Sequence, residues 1–351
     1  MDSISVAAVS VRELPAERIA AWDAYASAHP HGTFFHRAGW RDVIEKSFGH
    51  KTHYLLAERE GGAVCGVLPL VHVHSRLFGN TLASSAFCVY GGPIADDDAT
   101  LGALDARAVD LMRSLGADCL EYRSLQRRHP DWPCKDSFYV TFRREIVEDP
   151  DQNLKAIPRK QRAVVRQSLE RGLRYETDAT VDRFFPIYAA SVRNHGTPVF
   201  ARSFFRNIKE TFGEDCEVGA VVAEDGTPVS AVMSFYFRDE VLPYYGGGLP
   251  AARKLGGFDF MYWQILRNAG ERGLKIFDFG RSKVGTGSFS FKKNWGFTAQ
   301  PIFHEYQLKP GGSIPEVNPL NPKYRLFIET WKRLPMPVAN AIGPFVARNL
   351  G

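Results

Sequence analysis

KIFDFGRSKVGTGSFSFKKNWGF, running from Lys275 to Phe297, contains two short segments with apolar residues at every second position. Ile276-Phe277-Asp278-Phe279 and Phe289-Ser290-Phe291-Lys292 flank a loop carrying Gly280, Gly285 and Gly287, a pattern that predicts paired strands about a flexible turn. On a regular pleat Asp278 and Lys292 project from the face opposite the aromatics. Arg281, Ser282, Lys283 and Lys292 then border one crevice with an acid inside it. Such a crevice is either an anion or acyl-group site or a sheet with a solvated polar face, and the stretch alone favours the latter.

Upstream of this stretch the second half of the chain has a definite order. VFARSFFRNIKETFG (Val199–Gly213) has a helical period ending at a glycine, VGAVVAEDGTPVSAVMSFYF reads as strand, acidic-glycine turn and strand, and YYGGG (Tyr244–Gly248) precedes a helix from Phe258 to Arg272. The first half repeats that order. FFHRAGWRDVIEKSFG (Phe34–Gly49) echoes the first helix, with Arg41 falling on Arg206 and Phe48 on Phe212. YLLAERE and AVCGVLPLVHV form a hairpin about Gly61-Gly62, YGGP (Tyr90–Pro93) echoes YYGGG, a helix follows from Ala99 to Gly116, and CLEYRS echoes KIFDFGRS. Four echoes in one order predict a tandem duplication of one α/β unit of the α+β kind, with mixed, largely antiparallel sheets. The expected boundaries are 1–150 for the first domain, 151–310 for the second and 311–351 for a tail.

A chain of 351 residues exceeds what one core usually serves, which agrees with two domains. Its hydrophobic content of 44% and charged content of 24% are those of a globular protein, not a disordered or fibrous one. The net charge of +5 suits an anionic ligand without demanding one. No basic-fronted apolar leader and no stretch long enough to cross a bilayer is evident, so a cytoplasmic location is expected. Cys65, Cys88, Cys119, Cys134 and Cys216 fit neither a zinc spacing nor a disulfide framework and read as small buried residues. No metal site is expected.

Between the copies, LKAIPRKQRAVVRQSLERGLRYE predicts a basic helix. Arg159, Arg162 and Arg166 share one face and Leu154, Val165, Leu169 and Leu173 supply an apolar stripe, giving either a solvated face or a phosphate-facing surface. The tail turns helical at KYRLFIETWKRLPMPVANAIGPFVARNLG and is basic and amphipathic. It is expected to pack on one of the domains, with peripheral contact to the inner face of an anionic membrane as the alternative.

A hairpin, a glycine-rich strand end and a helix is the layout of GNAT-type acyltransferases, in which amides at that helix start cradle the donor's pyrophosphate. Arg253, Lys254, Gly256 and Gly257 occupy that place in the second half, although Phe258 stands where the GNAT loop has a small residue. The matching stretch of the first half, Ile94 to Asp98, is acidic, so only the second copy is expected to act.

PRKQRAVVRQSLERGL, GTPVF (Gly196–Phe200), PYYGGG (Pro243–Gly248), FMYW (Phe260–Trp263) and FDFGRSKVGTGSFSFKKNWGF together resemble the FemAB family, and within it the branch associated with PEP-CTERM/exosortase and exopolysaccharide gene clusters. The resemblance covers nearly the whole chain. It implies paired GNAT-like domains that transfer an acyl or aminoacyl group to an amine on an exopolysaccharide or peptidoglycan precursor. It further implies that Lys292 lies near the acyl carbonyl and stabilises the oxyanion, and that Arg159, Lys160, Arg162 and Arg166 hold acceptor phosphates. Tyr244 and Tyr245 would line an acceptor groove between domains, or else pack in the core. Asp278 would orient or deprotonate the attacking amine, or else pair with Arg281; His195 would shuttle a proton, or else be a structural turn residue. The donor is acyl-CoA or aminoacyl-tRNA, with no tightly bound cofactor, and the acceptor a saccharide or muropeptide, free or lipid-linked. The heptad arm of some tRNA-using members does not occur here. No nucleophile stands out, so direct attack in a ternary complex is expected. A catalytically silent polysaccharide-binding or scaffold protein is the alternative, and sequence-independent RNA binding through the basic helix a third.

Overall fold

The computed structural model describes residues 9–75, 79–315 and 322–350. The chain divides into two units, one comprising Met1–Asp136, Ile302–Glu316 and Asn349–Gly351, the other Ser137–Pro301 and Val317–Arg348. In chain order the first unit begins with β1 (Val9–Glu13), α1 (Ile19–Ala28), α2 (Gly39–Phe48), β2 (Lys51–Arg59), β3 (Val64–Ser75), β4 (Gly79–Ser84), β5 (Ile94–Ala95), α3 (Asp98–Ser114), β6 (Cys119–Ser124) and β7 (Cys134–Lys135). The second runs through β8 (Tyr139–Glu145), α4 (Pro150–Ala156), α5 (Arg159–Leu169), β9 (Arg174–Asp178), α6 (Phe184–Asn194), α7 (Arg202–Phe212), β10 (Cys216–Val222), β11 (Pro228–Phe237) and β12 (Glu240–Gly248). It continues with α8 (Pro250–Leu255), α9 (Gly257–Glu271), β13 (Ile276–Asp278), β14 (Ser282–Lys283), α10 (Gly287–Asn294) and β15 (Ala299–Pro301). The chain then returns to the first unit as β16 (Phe303–Leu308), and α11 (Pro322–Arg333) and α12 (Met336–Ala347) complete the second.

The expected duplication is present. The first sheet has the order β1-β2-β3-β4-β6-β16-β7 with β5 on β3; the second has β9-β10-β11-β12-β13-β8-β14 with β15 on β8. In both, the parallel pairing falls at the same place, β4 with β6 and β12 with β13, in an otherwise antiparallel ladder. The domain limits differ from expectation at 150 and 310. Strand β8 precedes the basic helix yet pairs with β13 in the second sheet, and β16 pairs with β6 and β7 in the first. Each sheet is thus completed by a strand from the other half of the sequence. In the first unit that strand is held by charge: His304 Nδ1 lies 2.7 Å from Glu121 Oε1, and Glu305, wholly buried, accepts from the amides of Arg128 and His129.

Both faces of the first sheet are covered, which explains why YLLA is continuously apolar instead of alternating. Tyr54 and Leu56 pack with Trp22 of α1, while Leu55 and Ala57 pack with Leu104 and Leu111 of α3. In the second unit Met261 and Trp263 of α9 form a core with Phe277, Phe279 and Trp295. The opposite side of β12 holds an aromatic group in which Tyr245 lies 5.2 Å from Phe205 and 5.8 Å from Tyr188, ring centre to ring centre.

Gly247 is where α6 meets this sheet: a Cβ there would lie 2.9 Å from both Tyr188 Cα and Ser191 Cβ. Backbone cannot yield as a flexible side chain can, so Gly247→Ala is expected to cost about 1–3 kcal/mol in urea denaturation. Gly102, exposed within α3, would bring its Cβ within 4 Å of nothing. The control Gly102→Ala is therefore expected to be neutral or to stabilise by roughly 0.5–1 kcal/mol.

The segment Phe289–Lys292 is helical, not a strand. Residues Gly287–Asn294 form α10, with the Thr286 side chain accepting from the amide of Phe289 as its N-cap. Four residues of apparent alternation carry little weight against a capping threonine and a Phe291–Trp295 spacing of one helical turn.

Candidate active site

The site forms where β12 parts from β13. Those strands pair only at Glu240–Ile276 and Val241–Phe277. The register of β12 against β11 then jumps from Pro243–Ser234 to Tyr245–Met233, leaving Tyr244 as a one-residue bulge. Beyond it β12 follows β11 as far as Gly248, so the sheet opens on the β13 side. In the first unit β4 ends at Ser84 and the ladder resumes only at Ile94 in β5. The intervening chain is folded inward: Ser85 through Tyr90 are buried, and Ser85 and Phe87 take positive φ of 44° and 67°. A Cβ on Gly91 would meet Ser85 Oγ at 2.0 Å and one on Gly92 would meet Ser124 Oγ at 2.1 Å. The YGGP echo thus serves a plug, whereas YYGGG borders an opening.

Lys292 sits on α10, against the turn that follows β13. Only 7% exposed, it donates from Nζ to the carbonyls of Gly280 (2.8 Å) and Arg281 (3.1 Å), with Nζ 5.9 Å from the centre of the Phe142 ring. Burial pushes its pKa down to about 7; nearby Asp278 resists this and Arg281 adds to it. Two carbonyls occupy two of the three donor directions of an ammonium.

Asp278 holds the turn that presents those carbonyls. It is wholly buried, and its Oδ1 accepts from Thr141 Oγ1 (2.6 Å) and from the amide of Gly280 (2.7 Å). Its Oδ2 lies 3.3 Å from Arg143 Nε, and Arg143 also pairs with Glu240. Burial, with Asp278 as a like-charged neighbour, pushes Glu240 up to about 7 against the pull of Arg143. The expected Asp278–Arg281 pair is replaced by Asp278–Arg143. Arg281 is exposed, with its guanidinium 4.4 Å over the Tyr139 ring. Engaged by the chain's own donors, Asp278 anchors the turn at Gly280.

The other expected residues separate. Tyr244 is half-buried beside the loop, its Cδ2 3.9 Å from where a Gly280 Cβ would stand. Tyr245, 6% exposed, belongs to the aromatic core. His195 is exposed at the end of α6 with Nδ1 2.7 Å from the Ser191 carbonyl, next to Gly196, where a Cβ would meet Ile328 of α11 at 2.5 Å. That is a helix-end position and not one beside Lys292. On α5, Arg159, Lys160 and Arg166 are exposed, while Arg162 is half-buried and donates to the Ile157 carbonyl at 3.2 Å.

The start of α9 is partly covered. Arg253 and Lys254 are exposed at the end of α8, but a Cβ on Gly256 (φ +67°) would meet Ser168 of α5 at 3.1 Å, and Gly257 packs on Ala252 and Val229. Phe258 folds over Gly248, within 2.5 Å of where its Cβ would stand. In the first turn of α9, Asp259 accepts from Trp295 Nε1 (3.1 Å) and from Gln161 Nε2, and burial pushes its pKa up to about 6 against those bonds. A donor pyrophosphate here would meet Arg253 and Lys254 more than bare helix amides. The sequence reading does not single out Asp259, Thr141 or Arg143. An acid directly after Gly256-Gly257-Phe258 was a visible signal for the first; the others lie on β8, which no local pattern assigns to this sheet.

Four cysteines are buried and Cys134 is half-buried. Among the described residues no group of His, Cys, Asp or Glu is arranged for a metal ion, and no helix is long and apolar enough to cross a membrane.

The doubled sheet, the bulged and splayed β12 and the α9 crossover define a tandem pair of GNAT-like domains. Residues 155–293 match the family model of the Acetyltransferase (GNAT) domain. No curated protein matches the sequence. Among solved structures, FemX matches with a TM-score of 0.67 at 16% identity, over 84% of this chain and 96% of that one. L-PGS from Bacillus licheniformis matches with a TM-score of 0.55 at 11% identity, over 92% and 99%. A tandem GNAT protein from the clavulanic acid biosynthesis pathway matches with a TM-score of 0.52 at 14% identity, over 86% and 98%. At these identities the likeness is one of fold.

Proposed function

We propose that this chain is a FemAB-type acyl- or aminoacyltransferase of the exopolysaccharide-associated branch, acting in the cytoplasm or at the inner face of the membrane. It forms an amide on an amino group of an envelope saccharide or muropeptide precursor. The observation that carries the reading is Lys292, a buried amine held by two carbonyls of the turn that packs beside Tyr244. A neutral acceptor amine attacks the donor carbonyl, the C–N bond forms, and the carbonyl electron pair moves to oxygen. Lys292 Nζ donates to that oxyanion in a dry setting, where such a contact is strongest. Collapse expels the thiol of coenzyme A or the ribose hydroxyl of tRNA, which leaves with the amine's proton. Direct transfer is supported by the cysteines, since burial pushes the Cys119 and Cys216 thiols up to about 11 and 12, away from the reactive thiolate. Arg159, Lys160 and Arg166 suit acceptor phosphates, and Tyr244 the acceptor's approach.

Purified protein incubated with saccharide or muropeptide acceptors and either labelled acyl-CoA or labelled aminoacyl-tRNA is expected to give labelled acceptor from one donor. The label is expected to be lost in Lys292→Ala. Acceptor binding that is indifferent to Lys292, with label from neither donor, would instead establish a silent binding protein.

A further inference from the structure

The C-terminal helices turn their larger apolar side chains outward. On α12 the inward face is Ala339, Gly343 and Ala347, spaced i, i+4 and i+8, with a Gly343 Cβ falling 3.0 Å from the Val199 carbonyl oxygen. The outward face is Val338, Ile342 and Phe345, exposed by 39%, 45% and 68%, and Leu326 of α11 is exposed by 76%. A helix that only covers a core shows the reverse arrangement. The helices are pinned all the same. Arg193 Nη1 donates to the Lys332 carbonyl at 2.8 Å, Arg193 Nε reaches Met336 Sδ at 3.3 Å, and Trp331 is buried. The outward face is therefore a fixed feature of the second unit.

Charge indicates what covers it. From Met336 to Ala347 the sequence has no charged residue, while the stretch from 326 to 350 carries Lys332, Arg333 and Arg348 against Glu329, which pairs with Lys332 at 2.9 Å. Pairing this face with a second copy of itself would bring two such basic sets together. An acidic lipid surface matches both its apolar and its cationic character. We propose that α11 and α12 dock the protein on an anionic bilayer, with Ile342 and Phe345 entering the boundary between headgroups and acyl chains and the basic residues meeting lipid phosphates. The transfer reaction is not needed for this docking, so either proposal stands or falls alone.

The test is flotation of the full chain with vesicles of phosphatidylcholine alone and of two parts phosphatidylcholine to one part phosphatidylglycerol. Binding is expected to the acidic vesicles and to be about tenfold or more weaker to the neutral ones. The double variant Ile342→Asp/Phe345→Asp is expected to lose about tenfold or more in binding while its melting temperature holds, because both side chains are exposed. Arg333→Glu is expected to weaken binding to acidic vesicles and to leave the residual neutral binding unchanged. No binding to acidic vesicles, undiminished binding by the double variant, or dimerisation in solution that this variant abolishes would each overturn the proposal.

Discussion

Lys292→Ala is expected to lower kcat/KM by about 10²–10³-fold, the usual cost of removing one donor to a developing oxyanion. The pH dependence separates this role from a packing role. With Lys292 titrating near 7, its cationic form is lost as pH rises through neutrality, so wild-type activity, corrected for ionisation of the acceptor amine, is expected to fall across that range. Lys292→Arg keeps a cation that does not titrate there. That variant is expected to be slower overall but to lack the descending limb near 7; a limb that persists would assign it to another group. Stability moves in the opposite sense. Between about 7 and the ordinary 10.5 the folded lysine has released its proton while the unfolded one still holds it, so stability rises with pH over that window. Lys292→Ala is expected to flatten that rise in urea denaturation series.

Asp278→Ala is expected to destabilise the protein by about 2–4 kcal/mol, because it leaves two buried donors without their acceptor. The buried Thr141 hydroxyl and Gly280 amide both lose their acceptor, whereas the partly exposed Arg143 keeps Glu240. Asp278→Asn keeps an oxygen for Thr141 and Gly280 and is expected to cost less. It should also lower the pKa of Glu240, which Asp278 raises as a neighbouring charge. Glu240 holds its proton up to about 7 when folded and only to about 4.5 when unfolded, so it makes stability fall as pH rises between those values. Asp278→Asn is expected to shallow that fall. Equal denaturation midpoints for wild type and Asp278→Ala would remove Asp278 from the role of anchoring the Gly280 turn.

Local pattern carried the elements that recur. Helix α2 ends at Gly49 and α7 at Gly213, both with positive φ, as the glycine stops indicate. The hairpins and the long helices α3 and α9 lie close to their expected positions, since each satisfies one strong periodicity on its own. What was not legible depends on partners far away in sequence. Nothing in YVTFRRE says that it joins the second sheet, although Thr141 and Arg143 supply the groups that hold Asp278. The strand expected at Phe289–Lys292 rests on an alternation of only four residues, against which Thr286 and the Phe291–Trp295 spacing mark a helix. The two tyrosines of PYYGGG are equivalent in the sequence. The bulge at Tyr244 separates them, sending Tyr245 into the core and leaving Tyr244 beside the loop.

The exchanged strand β16 also governs how the chain emerges during synthesis. Its neighbour β6 ends at Ser124, and β16 begins at Phe303. At roughly 5–20 residues per second a ribosome leaves the β6 edge waiting on the order of ten to forty seconds for the strand that closes it. Throughout that interval the nascent first unit presents an open row of amides and carbonyls, a template for any other extended chain nearby. Holding factors on the nascent chain, or a translation rate that shortens the wait, should therefore raise the yield of folded protein.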